Sequence, residues 1–198
     1  MTVVFLVRHG AHDLLGHTMA GRMPGVALNQ RGRAQAQAIA ARLCEERLVA
    51  VHTSPSQRAR ETAMPLAEAV GLPAVVDEAF DEIDIGRWTG MGFAALDGDS
   101  DWQRWNAVRG QARCPGGESF AEVQTRVARG LEAIGDLHPE AAVAIVSHAD
   151  AIKAMLMFFL GLPLDFHGRF DIDPGSISTA VYGSWGAKVL RMNEGVAA

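Results

Sequence analysis

The sequence predicts an α/β fold, a single three-layer α/β/α domain over residues 1–198 with a mostly parallel central sheet. Two observations carry that prediction. Three short apolar runs, "TVVFLV" (2–7), "LVAVHT" (48–53) and "AAVAIV" (141–146), show no polar alternation, as expected of strands covered on both faces. Apolar stripes at helical spacing lie between and after them, and strands that alternate with helices build layered α/β domains. At 198 residues and 48% hydrophobic, the chain has enough apolar material for one full core.

Each element has its own signal. The first run ends at Arg8-His9-Gly10. "NQRGRAQAQAIAARLCEERL" (29–48) reads as a helix, with Asn29 as N-cap and a stripe through Ala36, Ile39, Ala40 and Leu43. The second run leads into "SPSQRARETAMPLAEAVG" (54–71), which places Arg58 near a helix start. From Trp88 to Gly117 the chain is rich in Gly, Asp and Trp, and reads as an irregular insertion, partly helical around "DWQRWNAVR". "GESFAEVQTRVARGLEAIGDLHP" (117–139) carries Phe120, Val123, Val127, Leu131 and Ile134 at helical spacing and stops at His138-Pro139. The third run is followed by "SHADAIKAMLMFFLG". "ISTAVYGSW" and "AKVLRMN" form a closing hairpin with Gly183–Gly186 in its turn.

Composition excludes several classes of function. The formal net charge is -5, so no overall basic field attracts nucleic acid or a membrane surface. The longest apolar run, 154–164, is about half a membrane span and is broken by Gly161 and Pro163, which suits a buried helix. "TVVFLV" is too short for a signal sequence and lacks a basic leader. Cys44 and Cys114 follow no disulfide or zinc pattern and read as reduced thiols in a cytoplasmic protein.

Basic groups follow each strand run directly or open the next helix: Arg8-His9, then Arg58, then His148. Open α/β sheets bind ligands beyond the carboxyl ends of their strands, where helix N-termini favour anions. The pattern therefore predicts a phosphate or carboxylate pocket. Within it His9 suits a nucleophile, because neutral imidazole is available near pH 7 and arginines offset the charge of a phosphate dianion. Taken alone, the tripeptide reads better as a satisfied core histidine at a strand end beside a surface arginine. A metal site on His9, His12 and His17 is disfavoured, since His-x2-His-x4-His across a strand end and loop is not a zinc spacing.

Six segments in order carry a family resemblance: "LVRHGAH" (6–12), "GRMPGVALNQRGRAQA" (21–36), "TSPSQRARETA" (53–63), "DEIDIGRWTG" (81–90), "PGGES" (115–119) and "VSHADAIK" (146–153). Together they resemble the histidine phosphatase superfamily, also called phosphoglycerate mutase-like, and within it the bacterial α-ribazole phosphatase-like branch. The resemblance implies the phosphoglycerate mutase-like fold and assigns roles position by position. His9 becomes phosphohistidine. Arg8, Arg58 and His148 surround the phosphoryl group, with His148 donating to an equatorial oxygen. Glu82 is the general acid and base, with Asp81 and Asp84 as rivals in the same acidic cluster. Arg22 reaches the substrate, and Ala149, where glycine is common, still offers a backbone N–H. No metal or other cofactor is implied.

The chain also departs from the family pattern. The usual T-x-x-N after R-H-G-x is replaced by His12 and Leu15, so one side of the pocket is less polar or His12 or His17 fills the gap. The resulting expectation is a phosphatase for a small phosphorylated substrate, with no nucleic acid or membrane partner and 88–117 as lid. A phosphoglycerate mutase-type phosphomutase is the alternative, and a non-catalytic phospholigand-binding protein a third. The chain is compact and lacks an obvious lysine cluster for a second anionic group, which favours the phosphatase. Family members are often dimers, so a homodimer stays open.

Overall fold

In the computed structural model, which describes residues 1–196, the first apolar run forms β1 (Thr2–Arg8). Its side chains divide between two cores. Val4 and Leu6 pack on one face of the sheet, Phe5 and Val7 on the other. This is why the run shows no polar alternation. The second and third runs form β2 (Leu48–Thr53) and β4 (Ala142–Ser147), and a short strand, β3 (Ala74–Val76), pairs with β2. The hairpin strands are β5 (Ile177–Gly183) and β6 (Gly186–Glu194). The sheet order is β3-β2-β4-β1-β5-β6. The first four of these are mutually parallel, β5 runs antiparallel to β1, and β6 antiparallel to β5. Gly183 pairs with Gly186 across Ser184-Trp185, and Gly186 sits at φ 116°, a conformation that favours glycine.

Two helix layers cover the sheet. On the Phe5 face lie α1 (Gln30–Leu43) and α2 (Gln57–Val70), contributing Ile39, Leu43, Ala63 and Leu66. On the Val4 face lie α5 (Phe120–Leu137) and α6 (Ala149–Leu160), including all five apolar positions of the 117–139 stripe. Asn29 caps α1 by accepting from the Gly32 N–H, and Ser119 with Glu122 forms a capping box on α5. The helix expected over 29–48 ends at Leu43, leaving Leu48 free to begin β2.

The 88–117 stretch is more ordered than its composition predicts. It contains α3 (Phe93–Leu96) and α4 (Ser100–Ala107), and buries Trp88, Leu96, Trp105 and Cys114 in the α5/α6-side core. Gly110 N–H donates to Asp165 Oδ1 at 2.7 Å, tying the stretch to the segment after α6. Among the described residues, no helix is long and apolar enough to cross a membrane.

The register places the functional groups. Arg8 pairs with Ser147, and Thr53 with Val146, so β1, β2 and β4 end together at one sheet edge. His9, Ser54 and His148 are the residues that immediately follow those three strands.

Candidate active site

His9 is buried, at 3% exposure, and its ring hydrogen bonds fix its tautomer. Nδ1 lies 2.8 Å from the Gly10 carbonyl oxygen, which can only accept, so Nδ1 carries the proton. Arg58 Nε donates to Nε2 at 3.2 Å, so Nε2 carries the lone pair. Burial, reinforced by the Arg58 and Arg8 cations, pushes this imidazole well below its ordinary range. His9 is therefore neutral at pH 7 with Nε2 as its nucleophilic atom. The turn that presents it is held from below: Gly10 N–H donates to Thr62 Oγ1 at 3.0 Å and Ala11 N–H to Gln35 Oε1 at 2.8 Å.

Arg58 lies in the first turn of α2 and is 2% exposed. Its Nη2 donates to the Gly21 carbonyl at 2.6 Å and to His148 Nδ1 at 3.0 Å. Because the guanidinium only donates, His148 carries its proton on Nε2, which donates to Ser54 Oγ at 2.7 Å. Ser54 in turn donates to Asp81 Oδ1 at 2.8 Å. A directed chain thus runs Arg58, His148, Ser54, Asp81. Burial, then the Arg58 and His9 sites, holds His148 well below the ordinary imidazole range, so it too is neutral.

A cleft of about 240 Å³ opens over His9. Arg8, Arg58, Glu82, Asp150 and His12 supply its polar lining, and Leu15, Met19, Ile83, Ile85 and Phe93 its apolar wall. Arg58 Nη1, Arg8 Nε and His12 Nδ1 are buried and have no hydrogen-bond partner. Unpaired buried donors of this kind are costly, and an anion's oxygens would satisfy them. Glu82 Oε1 accepts the Ile83 N–H at 2.9 Å. Burial, then the neighbouring Asp150 charge, raises the Glu82 carboxyl to about 7, against the pull of Arg58 and Arg8. The cleft therefore combines a neutral imidazole with its lone pair on Nε2, two guanidinium cations and a carboxyl group raised to about 7.

The family model for the histidine phosphatase superfamily (branch 1) matches residues 4–195. The chain belongs to this superfamily. Over 193 residues it is 35% identical to a bifunctional protein of Mycobacterium tuberculosis, covering 96% of this chain and 53% of that protein. The chain thus spans about half the length of this relative. It is 31% identical over 198 residues to phosphoserine phosphatase 1 of Hydrogenobacter thermophilus, covering 98% of this chain and 92% of that one. A mycobacterial glucosyl-3-phosphoglycerate phosphatase solved as a complex with VO3 superposes with a TM-score of 0.88 at 28% identity, covering 97% and 98% of the two chains.

The other histidine phosphatase motif positions fall in different places. Arg22 does not line the cleft. Its Nε donates to the Glu82 carbonyl at 2.7 Å and lies 3.4 Å from Asp81, while Nη2 pairs with Glu118 at 2.9 Å. In this structure acidic neighbours and a carbonyl hold the Arg22 guanidinium against the Glu82 segment. His148 also stays outside the cleft lining, with Nδ1 occupied by Arg58. A direct bond from it to a phosphoryl oxygen requires the other tautomer, with Ser54 donating to Nε2. Ala149 opens α6, where its N–H has no intrahelical acceptor, and it too lies outside the lining.

Of the three acids weighed from sequence, only Glu82 lines the cleft. Asp81 is engaged by Ser54 and the Glu82 N–H, and Asp84 accepts the Gly86 N–H. At the altered opening motif, His12 and Leu15 both line the cleft, whereas His17 is exposed outside it. The His12 ring lies 5.3 Å from that of His9, and burial with the two arginines pushes it down to about 4. Sequence reasoning missed Asp150, Ser54 and Phe93. Asp150 and Ser54 stand beside quoted motif residues, but nothing in their spacing marks them. Phe93 is brought in by tertiary folding of the 88–117 stretch.

Proposed function

We propose that this chain is a phosphatase that hydrolyses a small phosphomonoester through a phosphohistidine on His9 Nε2. The observation that carries the reading is the His9 tautomer: its lone pair lies on Nε2, against the Arg58 guanidinium, and Arg58 Nη1 and Arg8 Nε are buried without partners. On binding, the Arg58 N–H that rests on Nε2 turns to a phosphoryl oxygen. Nε2 then attacks phosphorus as the ester P–O bond breaks, and the departing alkoxide takes the Glu82 proton. Arg8 and Arg58 hold the charge on the equatorial oxygens. Water next attacks phosphorus in line, gives its proton to the Glu82 carboxylate, and the P–N bond breaks. Inorganic phosphate leaves and His9 returns neutral.

Two unpaired cysteines, one exposed and one buried, suit a reducing compartment and support a cytoplasmic location. The decisive experiment is a phosphomonoester panel, including p-nitrophenyl phosphate, run with His9→Ala and with mass spectrometry of enzyme quenched without acid. Turnover, a phosphohistidine adduct and loss of at least about a thousandfold in His9→Ala are expected. Isomerisation of phosphoglycerate dependent on a bisphosphoglycerate primer would select the mutase instead. Tight phosphate binding with no turnover would select a binding protein.

A further inference from the structure

The charges that line the cleft limit which phosphomonoesters it accepts. Among the described residues its lining cations are Arg8 and Arg58, and both belong to the His9 end. Arg58 touches His9 Nε2, and Arg8 is its chain neighbour, with Nη1 donating to the Ile172 carbonyl. Two guanidinium charges balance the two charges of a phosphomonoester dianion and leave none over.

No cation serves the remaining walls. Arg22 is turned away onto Glu118 and Asp81. Arg109 lies behind Asp150, with Nη1 4.0 Å from its Oδ2, and its guanidinium is stacked over the Trp105 ring. The Asp150 carboxylate itself faces the cleft. Leu15, Met19, Ile83, Ile85 and Phe93 supply the apolar lining. An apolar cavity of about 150 Å³ accommodates a benzene ring. The 240 Å³ here leaves room for a phosphoryl group and one ring-sized apolar body.

We propose that this cleft selects phosphomonoesters whose alcohol part is apolar and carries no second anionic group. The proposal rests on the phosphatase reading and specifies its substrate class. A second carboxylate or phosphate on the alcohol would give up hydration, meet the Asp150 carboxylate and find no guanidinium or ammonium partner. A neutral aryl or alkyl group would instead bury apolar surface against Leu15 and Phe93.

The test is a matched substrate pair, 4-ethylphenyl phosphate and 4-(carboxymethyl)phenyl phosphate, close in size and leaving-group acidity but one charge apart. The uncharged alcohol part should give at least about tenfold higher kcat/KM. Leu15→Lys, or Met19→Lys where the first variant folds poorly, places a cation on the apolar wall and should shrink that ratio by about tenfold. Equal kcat/KM for the two esters, or a preference for the carboxylate, overturns the proposal, as does a ratio that does not move in the lysine variants. If no phosphomonoester is turned over, the phosphatase reading fails. The same pair titrated calorimetrically into the protein still decides selection through the ratio of Kd values.

Discussion

Raising the pH from 6 to 9 should cost most of the kcat/KM toward alkyl phosphates, and the loss should trace to Glu82. An alkoxide is a poor leaving group and must be protonated as the P–O bond breaks, so the rate follows the protonated fraction of the acid. With its carboxyl raised to about 7, Glu82 is roughly nine-tenths protonated at pH 6, a tenth at pH 8 and a hundredth at pH 9. The expected fall between pH 6 and 9 is therefore about ninetyfold, reaching a slope of one decade per pH unit. The imidazoles at the site stay neutral across that interval. His9 and His148 are held well below the ordinary imidazole range, His12 is pushed down to about 4, and guanidinium groups stay charged.

The assay compares an alkyl phosphate with p-nitrophenyl phosphate, whose leaving group needs no proton. The aryl ester should show a much shallower descent. Glu82→Gln should abolish the descending limb for the alkyl ester and lower its kcat/KM by about a hundredfold or more, with a smaller effect on release of p-nitrophenol. A flat alkyl profile across pH 6–9, or equal losses for both esters in Glu82→Gln, refutes the assignment of Glu82 as acid.

Glu82 should also leave a signature in stability. Its folded value of about 7 stands above the ordinary 4.5, so the stability its proton contributes is complete below pH 4.5 and is lost as pH rises through 7. Wild type should lose on the order of 3 kcal/mol relative to Glu82→Gln between pH 4.5 and 8.5, read by urea denaturation; a pH-independent difference contradicts this. Gly10→Ala should destabilise by about 3 kcal/mol, because the added Cβ would lie 2.5 Å from the Gly32 carbonyl oxygen, backbone against backbone; an unchanged denaturation midpoint opposes it. His12→Ala should lower kcat/KM by about fivefold through loss of one cleft hydrogen-bonding group, whereas His17→Ala should leave it within about twofold. The reverse ranking would place the substrate on the other side of the opening loop.

The sheet was legible because each parallel strand buries both faces and so writes a continuous apolar run. β3 escaped because three residues, two of them exposed at the sheet edge, are too few to form such a run. His9, Arg8 and Arg58 were legible because the ends of parallel strands and the helix starts beside them are set by chain order. The resting direction of Arg22 was not legible because it depends on Glu118 and Asp81, partners 96 and 59 positions away. The close approach that Gly10 permits is to Gly32 at the start of α1, a contact set by tertiary folding and not by chain order. The 88–117 stretch was read as an irregular insertion from its Gly, Asp and Trp content, and burial of Trp88 and Trp105 in the core was not legible there. The same stretch brings Phe93 to the cleft.

The site departs from local rules of capping and pairing, and one ligand chemistry accounts for its buried cations. α1 and α5 carry side-chain caps, but Ser56 and His148, which precede α2 and α6, make no cap hydrogen bond. Arg58 places a buried cation in the first turn of α2, at the positive end of the helix dipole, where a carboxylate would be favoured. Arg8 Nε and Arg58 Nη1 add buried donors without partners. Buried cations and unpaired donors destabilise the isolated protein, and a tetrahedral dianion at His9 would relieve them. Inorganic phosphate or vanadate should therefore raise the unfolding free energy by about 2.7 kcal/mol at a hundred times Kd, followed by urea denaturation or Tm. Arg8→Ala and Arg58→Ala should each weaken that response at least tenfold in ligand concentration, while His17→Ala should not. Phosphate that stabilises wild type and both arginine variants alike would mean the anion binds elsewhere, and the guanidinium pair would need another explanation.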